Sequence, residues 1–163
     1  MAKSKGRKAK GKPARAKKVR KVAKKVARKA AKPAGDGLEA LARKIVKVTA
    51  SGQTPFPLHE LYAEGCTSTE ASGQTVTGFA GLEEKLRQWE SMQSGTTWSA
   101  RSVWTGKNRI CIEWDAVVSL RDGRTVNLSE VAIHDVKGGK IVAERYYYNP
   151  MALAPPAAAG VPS

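Results

Sequence analysis

The excess positive charge of this chain lies entirely in its first 35 residues, and this confines the folded part to residues 36–163. The chain carries 29 Lys and Arg against 14 Asp and Glu, a formal net charge of +15. Residues 1–35 hold 16 of the basic residues and no acidic one, and residues 36–163 hold the other 13 together with all 14 acids. Charge repulsion and the lack of large apolar side chains predict that this basic arm, residues 1–35, is disordered in isolation.

The composition of the basic arm predicts a polyanionic partner. Flexible Lys-rich chains bind the nucleic-acid backbone without reading its sequence. Val19, Val22 and Val26 recur near helical spacing, so residues 16–31 are predicted to become helical once a polyanion neutralises the repulsion. The predicted nucleic-acid-binding residues are the cations of this stretch: Lys17, Lys18, Arg20, Lys21, Lys24, Lys25, Arg28 and Lys29. Anionic lipid, another polyanion, or no specific partner are the alternatives.

Over residues 2–34 the arm resembles the lysine- and alanine-rich tails of linker histones and of bacterial linker-histone-like proteins. No apolar run approaches the roughly 18–20 residues of a membrane span. The basic start has no apolar stretch after it, so it does not predict a secretory signal. We therefore expect a cytoplasmic, nucleoid-associated protein, with a nuclear location as the alternative.

The periodicity of residues 36–150 changes from helical to strand-like along the chain. Leu38, Leu41 and Ile45 predict a helix that ends at Ser51-Gly52, and shorter helical patterns follow at residues 59–63 and from Thr77 onward. From Thr97 the period is two, with predicted strands at residues 98–104, 108–120, 126–136 and 140–148. Helices followed by an antiparallel meander predict an α+β domain with helices on one sheet face. Residues 151–163, rich in Ala and Pro, are predicted to form a loose, disordered tail.

Residues 38–149 also carry, in order, several short motifs of one family: Leu61-Tyr62-Ala63, Ser68-x-Glu70, Gly78-x-x-Gly81 followed by Lys85 and Trp89, Glu130-Val-Ala-Ile-His134, Gly139-Lys140-Ile141-Val142, and Glu144-Arg-Tyr-Tyr-Tyr148. This order resembles the SnoaL-like branch of the nuclear transport factor two-like superfamily. The resemblance implies a cone-like curved antiparallel sheet of about four to six strands, closed by N-terminal helices on one face. It also implies a small-molecule pocket and often a homodimer. Members include isomerases, polyketide cyclases, hydrolases and inert binding proteins, so the resemblance does not fix one activity.

The pocket that this resemblance implies collects polar residues from several predicted strands. In the isomerase relatives a carboxylic acid on the third sheet strand polarises a ketone, and Glu130 is in roughly that place. Glu70 or Glu113 is then the candidate base for proton abstraction next to a carbonyl. The predicted pocket residues are Glu70, Lys85, Trp89, Glu113, Glu130, His134, Glu144, Tyr146 and Tyr148. No metal site is expected, because Cys66 and Cys111 lack metal-ligand spacing. No cofactor is expected either, because proton abstraction next to a carbonyl needs none.

Three functions remain open from the sequence. The first is a small-molecule-binding domain tethered to nucleic acid by the arm. The second is a cofactor-independent isomerase or cyclase that uses pocket carboxylates. The third is an architectural nucleoid protein whose domain dimerises, so that two arms bridge two duplexes. A carboxylate-lined cavity would favour the first two, and a cavity filled by its own aromatic side chains would favour the third.

Overall fold

The structure is a computed structural model that describes residues 34–155. Both the predicted helix over residues 16–31 and the predicted nucleic-acid-binding cations lie outside the described residues. Within the described residues the α-helices are α1 (Ala34–Ser51), α2 (Leu58–Leu61) and α3 (Gly78–Met92). The strands are β1 (Tyr62–Thr69), β2 (Thr75–Thr77), β3 (Gln93–Gly106), β4 (Arg109–Leu120), β5 (Thr125–Lys137) and β6 (Lys140–Tyr147), and a 3-10 helix spans Pro150–Ala152.

The six strands form one curved sheet in the order β2-β1-β6-β5-β4-β3, with the helices packed on one face. This confirms the predicted α+β cone. Strands β3 to β6 form the predicted antiparallel meander, but β1 pairs with β6 in parallel. The last strand of the meander, β6, therefore lies between β5 and β1.

The inner face of the sheet, which faces the helices, carries most of the hydrophobic core. On β4 every second side chain is buried, from Ile110 to Leu120. Helix α1 packs across β3 and β4 and buries Leu38, Leu41 and Ile45 in the same core. Full burial of each such side chain contributes about 1.5–3 kcal/mol, so this layer supports one wall of the site described below.

Two glycines allow α3 to start close to the sheet. Gly78 has φ +71°, and a Cβ there would lie 3.2 Å from the carbonyl oxygen of Glu64. At Gly81 a Cβ would lie 3.0 Å from the Cβ of Val76 on β2. The Gly78-x-x-Gly81 motif is therefore a close-packing device that brings the following turns of α3 over the inner face.

The C-terminal segment is ordered as far as the structure describes it, and residues 156–163 of the predicted tail lie outside the described residues. Pro150–Ala152 form a 3-10 helix, and the side-chain oxygen of Asn149 accepts a hydrogen bond from the amide of Met151. Leu153 packs against the core cluster that contains Leu128, and the carbonyl of Ala154 accepts a hydrogen bond from Arg124. None of the helices described between residues 34 and 155 is long and apolar enough to cross a membrane.

Candidate active site

A cavity of about 470 Å³ lies between the inner face of the sheet and the helices α1 and α3. Its volume is within the usual range for small-molecule sites. Eight of the nine predicted pocket residues line it: Glu70, Lys85, Trp89, Glu130, His134, Glu144, Tyr146 and Tyr148. Residues brought together from β1, α3, β5 and β6 therefore share one cavity, as the resemblance implied.

Glu113 is the exception, and its predicted place in the pocket was wrong. It lies on the outer face of the sheet, where the guanidinium of Arg101 is 3.1 Å from its carboxylate and 2.7 Å from that of Asp115. In the β4–β5 register Glu113 pairs with Val131, whereas its neighbour Trp114 pairs with the inward-facing Glu130. Adjacent side chains of a strand point to opposite faces, so Glu113 cannot join the cavity.

Glu144 is the most buried acid of the site and the centre of its hydrogen bonds. Its carboxylate accepts hydrogen bonds of 2.7 Å from the hydroxyls of both Tyr62 and Ser68. Burial by itself would raise the pKa of Glu144, but the neighbouring His134 and Lys85 and the hydrogen bond from Ser68 outweigh it and lower the pKa to about 2. Glu144 is therefore ionised and held in place by its neighbours. Burial of Tyr62, together with the adjacent charge of Glu144, raises the pKa of the Tyr62 hydroxyl.

His134 lies directly across the β5–β6 pair from Glu144. Its Nδ1 is 3.3 Å from a carboxylate oxygen of Glu144, which is an ion-pair distance without a hydrogen bond. Both ring nitrogens are buried and have no hydrogen-bond partner among the described residues. His134 thus lines the cavity beside Glu144 and lies at ion-pair distance from it.

Lys85 connects α3 to two strands of the sheet. Its ammonium is 2.5 Å from Glu70, 2.8 Å from the hydroxyl of Ser68 and 3.7 Å from Glu144. It also lies 3.9 Å from the centre of the Tyr146 ring, a cation–π contact. With these partners the single ammonium of the cluster is fully occupied.

Glu70 is held from both sides. One carboxylate oxygen faces Lys85, and the other accepts a hydrogen bond of 2.9 Å from the hydroxyl of Tyr148. Burial and the adjacent Glu70 charge raise the pKa of Tyr148 well above its usual value, so its hydroxyl remains a hydrogen-bond donor. Glu70 lies in the β1–β2 turn. Its amide donates a hydrogen bond to the carbonyl of Gln74, and its carbonyl accepts one from the amide of Gly73.

Glu130 differs from the other two acids because its carboxyl makes no hydrogen bond or ion pair with any described residue, although it is only 8% exposed. Burial, followed by the charges of Glu70 and Glu144, raises its pKa to about 8 even though Lys85 acts in the opposite direction. Glu130 is therefore protonated at neutral pH. A buried polar group without a partner is costly unless a ligand or water satisfies it.

Three tryptophans form the apolar wall beside Glu130. The ring centres of Trp89 and Trp98 are 6.2 Å apart, and those of Trp98 and Trp114 are 5.9 Å apart. Trp89 was among the predicted pocket residues, whereas Trp98, Trp114, Tyr62 and Ser68 were not. Strand alternation separates Trp114 from Glu113, and the pairing of Trp114 with Glu130 shows that Trp114 is on the inner face.

The arrangement offers two carboxylates fixed by donors and one protonated carboxyl free to meet a ligand. Acids with opposite protonation states in one cavity are suited to exchanging a proton with a bound molecule. The described residues contain no cluster of His, Cys, Asp and Glu side chains that could hold a metal ion.

Comparison with known proteins places this geometry in a family. No curated protein sequence matches the chain. A structure described as a SnoaL-like polyketide cyclase from Mesorhizobium loti is 22% identical and has a TM-score of 0.58, with 68% of this chain and 97% of that one covered. One from Jannaschia sp. CCS1, described in the same terms, is 14% identical with a TM-score of 0.67, covering 78% and 99%.

An NTF2-like protein of unknown function from Burkholderia pseudomallei is 16% identical with a TM-score of 0.62, covering 69% of this chain and 91% of that one. These likenesses establish the fold. The sequence itself matches the family described as the SnoaL-like domain over residues 35–144. The chain therefore belongs to the SnoaL-like domain family.

Proposed function

We propose that the SnoaL-like domain of this chain binds a small organic molecule in its cavity, and that Glu130 is the polar group that contacts it. The observation that carries this proposal is the buried Glu130 carboxyl, which lines the cavity without a partner among residues 34–155. A cavity of this size lined by carboxyl groups favours ligand binding over a purely architectural domain. The structures described as polyketide cyclases support an organic ligand.

A second candidate function is proton transfer next to a carbonyl group. The different states of the acids favour it, because Glu130 keeps a proton at neutral pH while Glu70 is held by Lys85 and Tyr148. In such a reaction Glu70 removes the proton from the carbon beside the carbonyl, and Glu130 donates its proton to the carbonyl oxygen. The enol then takes a proton back at carbon and returns the oxygen-bound proton to Glu130, so no cofactor takes part.

One uncharged ketone, 2-tetralone, tests both candidates. Binding should quench the fluorescence of the cavity tryptophans, and Glu130→Leu should weaken binding about tenfold because the hydrogen bond to the carbonyl oxygen is lost. The matched control is Glu113→Leu, the same substitution on the outer face. Binding that is equal in wild type and Glu130→Leu would contradict the role of Glu130.

Catalysis is then separated from binding by NMR in D2O. Proton transfer predicts deuterium uptake beside the carbonyl that is about 100-fold slower in Glu70→Gln, since a positioned base contributes about that much. If deuterium uptake proceeds at the uncatalysed rate while 2-tetralone is bound, the domain binds the ketone but does not catalyse proton transfer.

We further propose that the basic arm tethers the domain to nucleic acid, and hence to the nucleoid. The support is the charge pattern: 16 cations and no acid within residues 1–35, followed by a domain without excess positive charge. With about half of these cations on phosphates, the logarithm of the DNA-binding constant should fall with the logarithm of salt at a slope of roughly −7.

The test compares the full chain with a chain that lacks residues 1–34 on the same duplex DNA. The shortened protein should lose nearly all affinity while it keeps ligand binding in the cavity. Equal DNA affinity of the two proteins would refute the tether.

A further inference from the structure

The cavity contains more carboxyl groups than cations. Glu70 and Glu144 share the ammonium of Lys85, at 2.5 and 3.7 Å. Glu130 is within ion-pair distance of none of the Lys, Arg or His side chains that the structure describes. Buried carboxylates in proteins are normally paired with a cation. Glu130 is thus the acid of the cavity that can still gain a positively charged partner.

The wall beside Glu130 is suited to such a charge. The planes of Trp89 and Trp98 are inclined by 44°, and those of Trp98 and Trp114 by 77°. Rings inclined in this way pack against one another and form one aromatic wall, with no slot between parallel faces for a flat ring system. The negative faces of indole rings attract cations, and tryptophan does so most strongly among the aromatic residues. Trp114 is the direct cross-strand neighbour of Glu130.

We propose that the ligand of this cavity is an organic amine, bound as a substituted ammonium group between the carboxylate of Glu130 and the faces of Trp89, Trp98 and Trp114. This inference rests on the proposed binding function and is independent of the proton-transfer candidate. The contact of Lys85 with the ring of Tyr146 shows the same chemistry elsewhere in the cavity.

Binding of an ammonium group changes the protonation of Glu130. Burial keeps this carboxyl protonated at neutral pH in the free protein, with a pKa of about 8. The cation stabilises the carboxylate, so the proton leaves for the solvent as the ammonium enters. An uncharged ligand releases no proton.

The test uses the full chain and two probes of the same shape, choline and 3,3-dimethylbutan-1-ol, in which an uncharged carbon replaces the ammonium nitrogen. Calorimetry at pH 7 should show choline binding about tenfold or more tightly than the alcohol. Repeating the titration in two buffers with different ionisation enthalpies should show release of roughly one proton per choline bound. Equal or tighter binding of the alcohol would overturn the inference, as would choline binding without proton release.

Variants assign the effect to Glu130. Glu130→Gln should reduce choline affinity to that of the alcohol and abolish proton release, and Glu113→Gln should change neither. Near-UV circular dichroism checks that both variants keep the native fold. Unchanged choline binding by a folded Glu130→Gln variant would overturn the assignment.

The outcomes also separate this inference from the proposed function. Binding of 2-tetralone without binding of choline would overturn the amine inference and leave a small-molecule site. Failure of both probes to bind would overturn the inference and remove the support for the site as well.

Discussion

Glu130 and Glu144 are the same residue type on neighbouring strands and on the same face, yet they adopt opposite protonation states. Glu144 has two hydroxyl donors and lies near Lys85 and His134, which lower its pKa to about 2. Glu130 has none of these contacts, and its pKa rises to about 8. Local donors and charges decide the state of a buried acid more than its depth does.

The raised pKa of Glu130 makes the stability of the fold depend on pH. Its ordinary value is 4.5, so between about pH 4.5 and 8 the folded protein holds a proton that the unfolded chain has released. The contribution of Glu130 to the free energy of unfolding is fully present below pH 4.5 and is lost as the pH rises to 8. The loss is on the order of 4 kcal/mol. Glu130→Gln lacks this loss. Urea unfolding at pH 5 and 8.5 should therefore show the variant gaining stability relative to wild type at the higher pH. A pH-independent difference would contradict this.

The sequence indicates most of the polar residues that line the cavity, but it does not indicate how the strands align. Alternation along one strand sorts its residues into two faces, but it does not say which face is inward. Glu130 and Glu144, which the family motifs carry, line the cavity, whereas Glu113, which no family motif carries, lies on the outer face. The pairing of Trp114 with Glu130 shows that Trp114 faces inward and Glu113 outward. Such pairing cannot be read from the sequence of either strand alone.

At the scale of elements, helix α3 closes the cavity and depends on one polar anchor. Its only fully buried side chain is Leu82. Lys85 lies one turn further along the helix. Its ammonium joins α3 to Ser68 on β1 and to Glu70 in the turn between β1 and β2. The parallel pairing of β1 with β6 brings Ser68 opposite Glu144, and so creates the acidic surface that this anchor needs. The sequence did not reveal that pairing, because β1 and β6 are separated by the whole meander.

Removing the anchor should loosen the helix before the sheet. Lys85→Met leaves the buried Glu144 without its nearby ammonium, so the free energy of unfolding should fall by about 2–4 kcal/mol. Hydrogen exchange should accelerate in Gly78–Met92 more than in β4 and β5. Lys44→Met is the matched control, because it removes an exposed ion pair with Glu60, which typically contributes less than about 1 kcal/mol. Equal effects of the two substitutions would show that Lys85 is not an anchor.

At the scale of the whole molecule, the two faces of the sheet serve different purposes. The inner face builds the cavity, and the outer face exposes large apolar side chains between ion pairs. Trp104, Val117 and Tyr147 are about half exposed there, at 55%, 48% and 54%. Positive and negative groups alternate on this face, as in the pairs of Arg101 with Asp115 and of Arg145 with Asp135. A balanced surface of this kind can be complementary to itself, as a twofold dimer requires.

We predict that this outer face forms the homodimer that the family resemblance implies. Val117→Lys places a charge in the middle of the face, so sedimentation should show a dimer for wild type and a monomer for the variant. Met151→Lys is the control, because Met151 is exposed in the 3-10 helix and not in the sheet. Both variants should still bind the cavity probe. A monomeric wild-type protein at micromolar concentration would refute the dimer.

The ordered segment after β6 has a consequence for how this domain can diversify. Leu153 lines the cavity, although the family match ends at residue 144. One part of the wall is thus supplied by a short appendage that makes no strand pairing. Relatives could exchange or extend that appendage, and so change which molecules fit, while every strand and the acids mounted on them stay as they are. Selectivity and chemistry would then evolve in separate stretches of the same chain.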